Sequence, residues 1–191
     1  MSFETRLATL KGGTVDLSID RQVARLTLSH VAKHNALSGS MMLDLRKAVI
    51  ELEQMEGDLK AVVFTGAGDK AFCAGSDLDC LSEFTRPDEG AQFCRFMQET
   101  TRRLDELPVP VITRVNGVAY GGGSELSTVG DMRSAAPNAR VAFVHKKMAL
   151  QPGWGGAARL IKLVGRQCAV ELLLTARVLS PDELIRFDFS L

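Results

Sequence analysis

The chain has no excess of charge: 23 Lys and Arg balance 23 Asp and Glu over 191 residues. No global field therefore draws it to nucleic acid or to an anionic membrane. It has no apolar run near the ~18 residues that cross a bilayer. Met1-Ser2-Phe3-Glu4-Thr5-Arg6 carries neither a charged-then-apolar signal pattern nor an Arg-rich, acid-poor bias. The four cysteines, Cys73, Cys80, Cys94 and Cys168, have no CxxC spacing. They read as reduced thiols of a cytosolic protein rather than a disulfide framework. His30, His34 and His145 do not cluster with them in sequence, so no metal site is expected.

What is present is hydrophobic content of 46%, enough for one ordinary domain core. Residues 14–29 alternate about Asp20-Arg21 and read as a β-hairpin. Ser38 is placed to cap a helix on which Met42, Leu45, Val49 and Leu52 recur as a core stripe. The run Leu59–Thr65 suits a buried strand of a parallel sheet. Residues 80–105 read as helix, with Pro87 near its start or at a break. Strands are expected at 111–115, 131–136 and 141–144. A helix opens after Pro152-Gly153-Trp154-Gly155-Gly156 and halts near Gly165; a helix at 167–175 and one capped by Ser180 follow. Strand–helix alternation makes this an α/β chain, taken as one domain over 1–191.

Two glycine-bearing loops follow buried strands. One ends in Ala74-Gly75-Ser76-Asp77, the other in Gly121-Gly122-Gly123-Ser124-Glu125. The second reads as strand, glycine turn and helix start. Amides at a helix start are unpaired and lie at the positive end of the dipole. If the loops face each other, two amides can grip one developing oxyanion.

Phe72–Leu78, Asn116-Gly117, Gly121–Leu126 and Pro152–Gly156 resemble the signature segments of the crotonase (enoyl-CoA hydratase/isomerase) superfamily over roughly residues 14 to 185. The resemblance implies a spiral of ββα units with two roughly perpendicular sheets. It implies homotrimers or hexamers and an acyl-CoA thioester substrate whose CoA is the only non-protein group required. The backbone N–H groups of Ser76 and Gly122 match the oxyanion hole. Backbone near Ala36, Ala74, Asp77 and Leu78 would hold adenine and pantetheine, Lys70 would meet the CoA phosphates, and Gly121 and Trp154 complete the substrate contacts. Family members usually continue with C-terminal helices, which this chain is expected to lack.

Hydratases and isomerases of the family use two glutamates. Glu125 matches the first, but His145, seven residues ahead of Pro152, takes the place of the second. Loss of CO2 from a malonyl-type thioester needs no base on carbon. The segments resemble above all the branch that decarboxylates ethylmalonyl-CoA and methylmalonyl-CoA. The expected catalytic set is therefore Ser76, Gly122, Glu125 and His145. Glu125→Ala and His145→Ala are each expected to lower turnover by at least about tenfold with the fold intact. Structural readings stand beside these: Glu125 as a dipole partner, His145 as a core histidine, Trp154 as core filler, Asp77 as a helix cap and Lys70 as a solvated lysine. Hydratase or isomerase activity, thioester hydrolysis by Glu125 alone, and a non-catalytic acyl-CoA-binding core are the alternatives.

Overall fold

The computed structural model describes residues 1–55 and 57–191. Helix α1, Phe3–Thr9, is capped by Ser2, whose hydroxyl accepts from Thr5 N. Strands β1 (Thr14–Asp20) and β2 (Val23–Ser29) then form the expected hairpin. Its two-residue turn places Arg21 and Gln22 at positive φ, 47° and 69°, the twist that suits a tight hairpin. Helix α2, Gly39–Gln54, starts where Ser38 Oγ accepts from Met41 N. Its Met42, Leu45, Val49 and Leu52 are buried, each such side chain contributing about 1.5–3 kcal/mol.

The rest of the chain is a repeated unit. In each turn the first strand enters one sheet, the second enters another, and helix follows. The first strands are β3 (Ala61–Gly66), β5 (Val111–Val115) and β7 (Met132–Ala135). With the hairpin they form a five-stranded sheet of order β1-β2-β3-β5-β7, parallel from β2 onward. The second strands are β4 (Ala71–Cys73), β6 (Val118–Tyr120) and β8 (Arg140–Ala142), a three-stranded parallel sheet. The helices are α3 (Leu78–Ser82) and α4 (Pro87–Asp105) after β4, α5 (Gly122–Leu126) after β6, and α6 (Gly156–Thr175) after β8. Helix α7, Pro181–Arg186, has a capping box between Ser180 and Glu183.

Several expectations shift in detail. Residues 80–105 split into α3 and α4, because Pro87 occupies the first turn of a new helix, where its missing N–H costs nothing. The strand expected at 141–144 ends at Ala142, and Val144–Met148 forms a 3-10 turn. Gly165 leaves helical geometry (φ 76°, ψ 159°) and kinks α6 rather than separating two helices by a loop. A strand, β6, lies between Asn116-Gly117 and the glycine triplet.

The corners between the sheets are held by buried amides. Asn116 Oδ1 accepts from Gly66 N (3.0 Å) and Thr65 Oγ1 (3.2 Å), while its Nδ2 donates to Gly68 O (2.9 Å) and Ala71 O (3.1 Å). One side chain thus ties the ends of β3 and β5 to the start of β4. Asn116→Ala is expected to lower stability by about 2–4 kcal/mol, since buried backbone groups lose their partners. Urea unfolding checks this, and an unchanged midpoint would show that the corner holds itself.

Candidate active site

The glycine loops meet at one cavity of ≈ 280 Å³. Segment 75–77 lies extended against Leu37: Leu37 N donates to Gly75 O and Asp77 N donates to Leu37 O, both at 2.8 Å. Successive amides of extended backbone point in opposite directions, so Ser76 N faces away from Leu37. It has no acceptor among the described residues. Gly122 N, in the first turn of α5, also has none. Gly75, at φ 105°, keeps the loops close; a Cβ there would stand 3.2 Å from Gly122 N. Ala74, Ser76, Leu78, Gly121 and Gly122 all line the cavity.

Glu125 enters from α5 and is 1% exposed. Its Oε1 accepts from Gly153 N and His145 Nε2, both at 3.0 Å. Its Oε2 accepts from Trp154 N (2.7 Å) and Gly156 N (2.9 Å). Four donors converge on two oxygens, which a carboxylate satisfies because it accepts at both. The glutamate therefore pins the loop before α6 as well as lining the cavity. His145 comes from the 3-10 turn and is 9% exposed. Its Nε2 is bound to Glu125, but its Nδ1 has no partner among the described residues.

Trp154 is buried, its ring 6.4 Å from that of Phe93. Its carbonyl accepts from Thr101 Oγ1 (2.9 Å) and Arg159 Nη2 (3.0 Å). It therefore both fills core volume and walls the cavity. Arg159 also donates to Thr128 Oγ1 (3.0 Å) and Glu125 O (3.3 Å). Burial lowers its pKa, against the opposing pull of Asp105 and Glu125. Sequence reading passed over this arginine; its only mark is a cation on an otherwise apolar opening turn of a helix.

Apolar walls come from Leu81, Phe84 and Phe93. Phe93 was legible as part of a helical face, but periodicity does not say whether that face meets core or cavity. Cys94 also lines the cavity, its thiol pushed up by burial and by the nearby Glu125 charge. Burial pushes the Cys73 and Cys80 thiols up to about 12. All four cysteines are free.

Three residues expected at the ligand are not among those lining this cavity. Asp77 is the N-cap of α3, accepting from Asp79 N (3.2 Å) and from Lys33 Nζ (2.8 Å). Between Asp77 and Asp79, the Lys33 ammonium is pushed up to about 12. Ala36 has both backbone groups engaged: its N donates to Lys33 O (3.0 Å) and its O accepts from His30 Nδ1 (3.1 Å). Lys70 is exposed and borders a separate depression with His34 and Asn35.

Comparison with known proteins follows the same lines. The sequence model of the enoyl-CoA hydratase/isomerase family matches residues 18–187. The chain is 45% identical over 181 residues to a Danio rerio protein named ethylmalonyl-CoA decarboxylase, covering 93% of this chain and 59% of that one. It is 40% identical over 186 residues to the Gallus gallus protein of that name, covering 97% and 62%. Thus it spans about three-fifths of the length of these curated relatives. A crystal structure of an enoyl-CoA hydratase from Bacillus anthracis superimposes with a TM-score of 0.87 at 31% identity, over 93% of this chain and 68% of that one. An enoyl-CoA hydratase from Thermoplasma volcanium gives 0.86 at 29% identity, over 94% and 71%.

Proposed function

The chain belongs to the enoyl-CoA hydratase/isomerase family, and we propose that within it the chain is a carboxy-lyase acting on ethylmalonyl-CoA and methylmalonyl-CoA. One observation carries the choice of reaction. Glu125 is the only carboxylate lining the cavity among the described residues, and both its oxygens are occupied by four donors. Hydration needs a group free to take a proton from water. Decarboxylation asks for none.

In this reading the thioester oxygen sits between Ser76 N and Gly122 N. The bond between the α-carbon and the carboxylate breaks, CO2 leaves, and the electron pair moves through the carbonyl to give an enolate. The two amides hold the enolate oxygen; a donor of this kind is worth on the order of 3 kcal/mol of barrier. The α-carbon then takes one proton, giving the acyl-CoA. Leu81, Phe84 and Phe93 offer a dry wall that favours loss of charge as CO2. The residues need no metal and no cofactor beyond the CoA of the substrate. The relatives' printed name supports the substrate class. A homotrimeric or hexameric assembly, a cytosolic setting and a role in removing misformed malonyl-type thioesters belong to the same proposal. No helix among the described residues is long and apolar enough to cross a membrane.

A paired assay on the purified chain tests the reading. CO2 release from ethylmalonyl-CoA is expected, with no water addition to crotonyl-CoA. Hydration without CO2 release would overturn it and restore Glu125 as a working base. Silence in both, with acyl-CoA bound, would leave an acyl-CoA-binding core.

A further inference from the structure

Three buried side-chain polar atoms lack a hydrogen-bond partner among the described residues: Ser76 Oγ, His145 Nδ1 and Ser190 Oγ. Two of the three residues stand in the wall of the one cavity that also holds the unpaired amides. Buried polar groups are nearly always paired, and leaving one unmet is unfavourable. Two residues of one cavity wall that each carry an unmet atom make that wall the place where a ligand would supply the partners.

Their chemistry narrows the ligand. Glu125 Oε1 accepts from Gly153 N and lies 3.0 Å from His145 Nε2. That ring nitrogen therefore carries a proton, and Nδ1 is the atom left for a ligand. A doubly protonated ring has a donor on each side and would bridge Glu125 and a second anion. Ser76 offers a hydroxyl on the residue whose amide is one of the two unpaired donors. A group that accepts from the hydroxyl and, when the ring carries both protons, from Nδ1–H, close to a thioester carbonyl, meets both atoms. A carboxylate on the α-carbon has those properties.

We infer that Ser76 Oγ and His145 Nδ1 form a two-point subsite for the substrate's α-carboxylate. Glu125, which does not touch that group, is the positioning residue that fixes the imidazole. This assignment rests on the proposed decarboxylation for its substrate class, and its test does not depend on turnover. The subsite turns the free carboxylate into a specificity determinant: an acyl-CoA without it leaves both atoms unmet, so it binds less well.

The experiment measures binding of two unreactive thioethers to the purified chain by calorimetry. In S-(2-carboxybutyl)-CoA a methylene replaces the thioester carbonyl, so CO2 has no route out; S-butyl-CoA lacks the carboxylate. The wild-type chain is expected to prefer the carboxylated probe by about tenfold or more, the scale of a hydrogen bond to a charged group. Ser76→Ala keeps the backbone amide and removes one oxygen. His145→Gln keeps an N–H for Glu125 and removes Nδ1. Each is expected to cut the preference at least about fivefold while leaving affinity for S-butyl-CoA as it was. If His145→Gln does not fold, Ser76→Ala carries the test alone. An unchanged preference in Ser76→Ala overturns the subsite. Loss of preference in the variants, with no CO2 release by the wild type, would uphold the subsite and sink the decarboxylation. CO2 release with an unchanged preference would do the reverse.

Discussion

Glu125→Ala is expected to lose activity and also to unfold more easily, by roughly 3 kcal/mol or more. The amides of Gly153, Trp154 and Gly156 lie 3.0, 2.7 and 2.9 Å from its carboxylate, and the alanine leaves all three without an acceptor. A buried donor left unpaired costs about 1–3 kcal/mol, with the low end applying where water can enter from the cavity. Three such losses give the estimate. For a domain of this size that is a fall in melting temperature on the order of 10 °C. Thermal unfolding beside a CO2-release assay measures both effects. Glu125→Gln tests the anchoring at nearly constant shape. A glutamine keeps the shape but sets an NH2 group against N–H donors, so it is expected to lose stability almost as severely as alanine. A melting temperature equal to wild type in either variant would mean that the carboxylate does not anchor the loop. The expectation from sequence was an intact fold after Glu125→Ala. It changes because the partners of Glu125 come from residues 153–156, and no reading of 121–126 names them.

The same division runs through the molecule: what local pattern encodes was readable, and what distant backbone decides was not. The hairpin, the Ser38 and Ser180 caps and the α2 stripe each lie within a few residues of their cause. Strands β4 and β6 have three residues apiece, too few for a period to declare itself, and glycines flank them. They were absorbed into loops, although they make half of each ββα turn. In the site, Ser76, Gly122, Glu125 and Trp154 were legible because glycine motifs mark their loops, whereas His145 was named only through the family position seven residues before Pro152; all five line the cavity. Asp77 shares such a loop, but its carboxylate is bound to the start of its own helix and to Lys33. Arg159 lay hidden because two of its acceptors, the carbonyls of Glu125 and Trp154, are backbone atoms that carry no sequence signal, and the hydroxyl of Thr128 lies 31 residues away in the chain.

Gly122→Ala is expected to cost about 10²–10³ in turnover, the loss typical when one oxyanion donor is displaced. Its φ is not among the positive values, so the backbone accepts alanine and the effect is steric. The new Cβ would stand 2.4 Å from Trp154 Cζ3, 2.6 Å from Cη2 and 2.8 Å from Cε3. The indole has little room to yield. Trp154 N is bound to Glu125, its carbonyl to Thr101 and Arg159, and its ring packs against Phe93. Either the start of α5 retreats, carrying the Gly122 amide away from the thioester oxygen, or Trp154 shifts and loosens the bonds that hold Glu125. Overpacking of this kind costs about 1–3 kcal/mol of stability, less than the loss expected for Glu125→Ala. The two variants therefore separate: Glu125→Ala fails first in the melt, Gly122→Ala first in the catalytic rate, with binding of S-butyl-CoA nearly unchanged. Turnover at the wild-type level in a folded Gly122→Ala chain would remove this amide from the chemistry. The remaining reading would be that glycine is required there only so that Trp154 can close over α5.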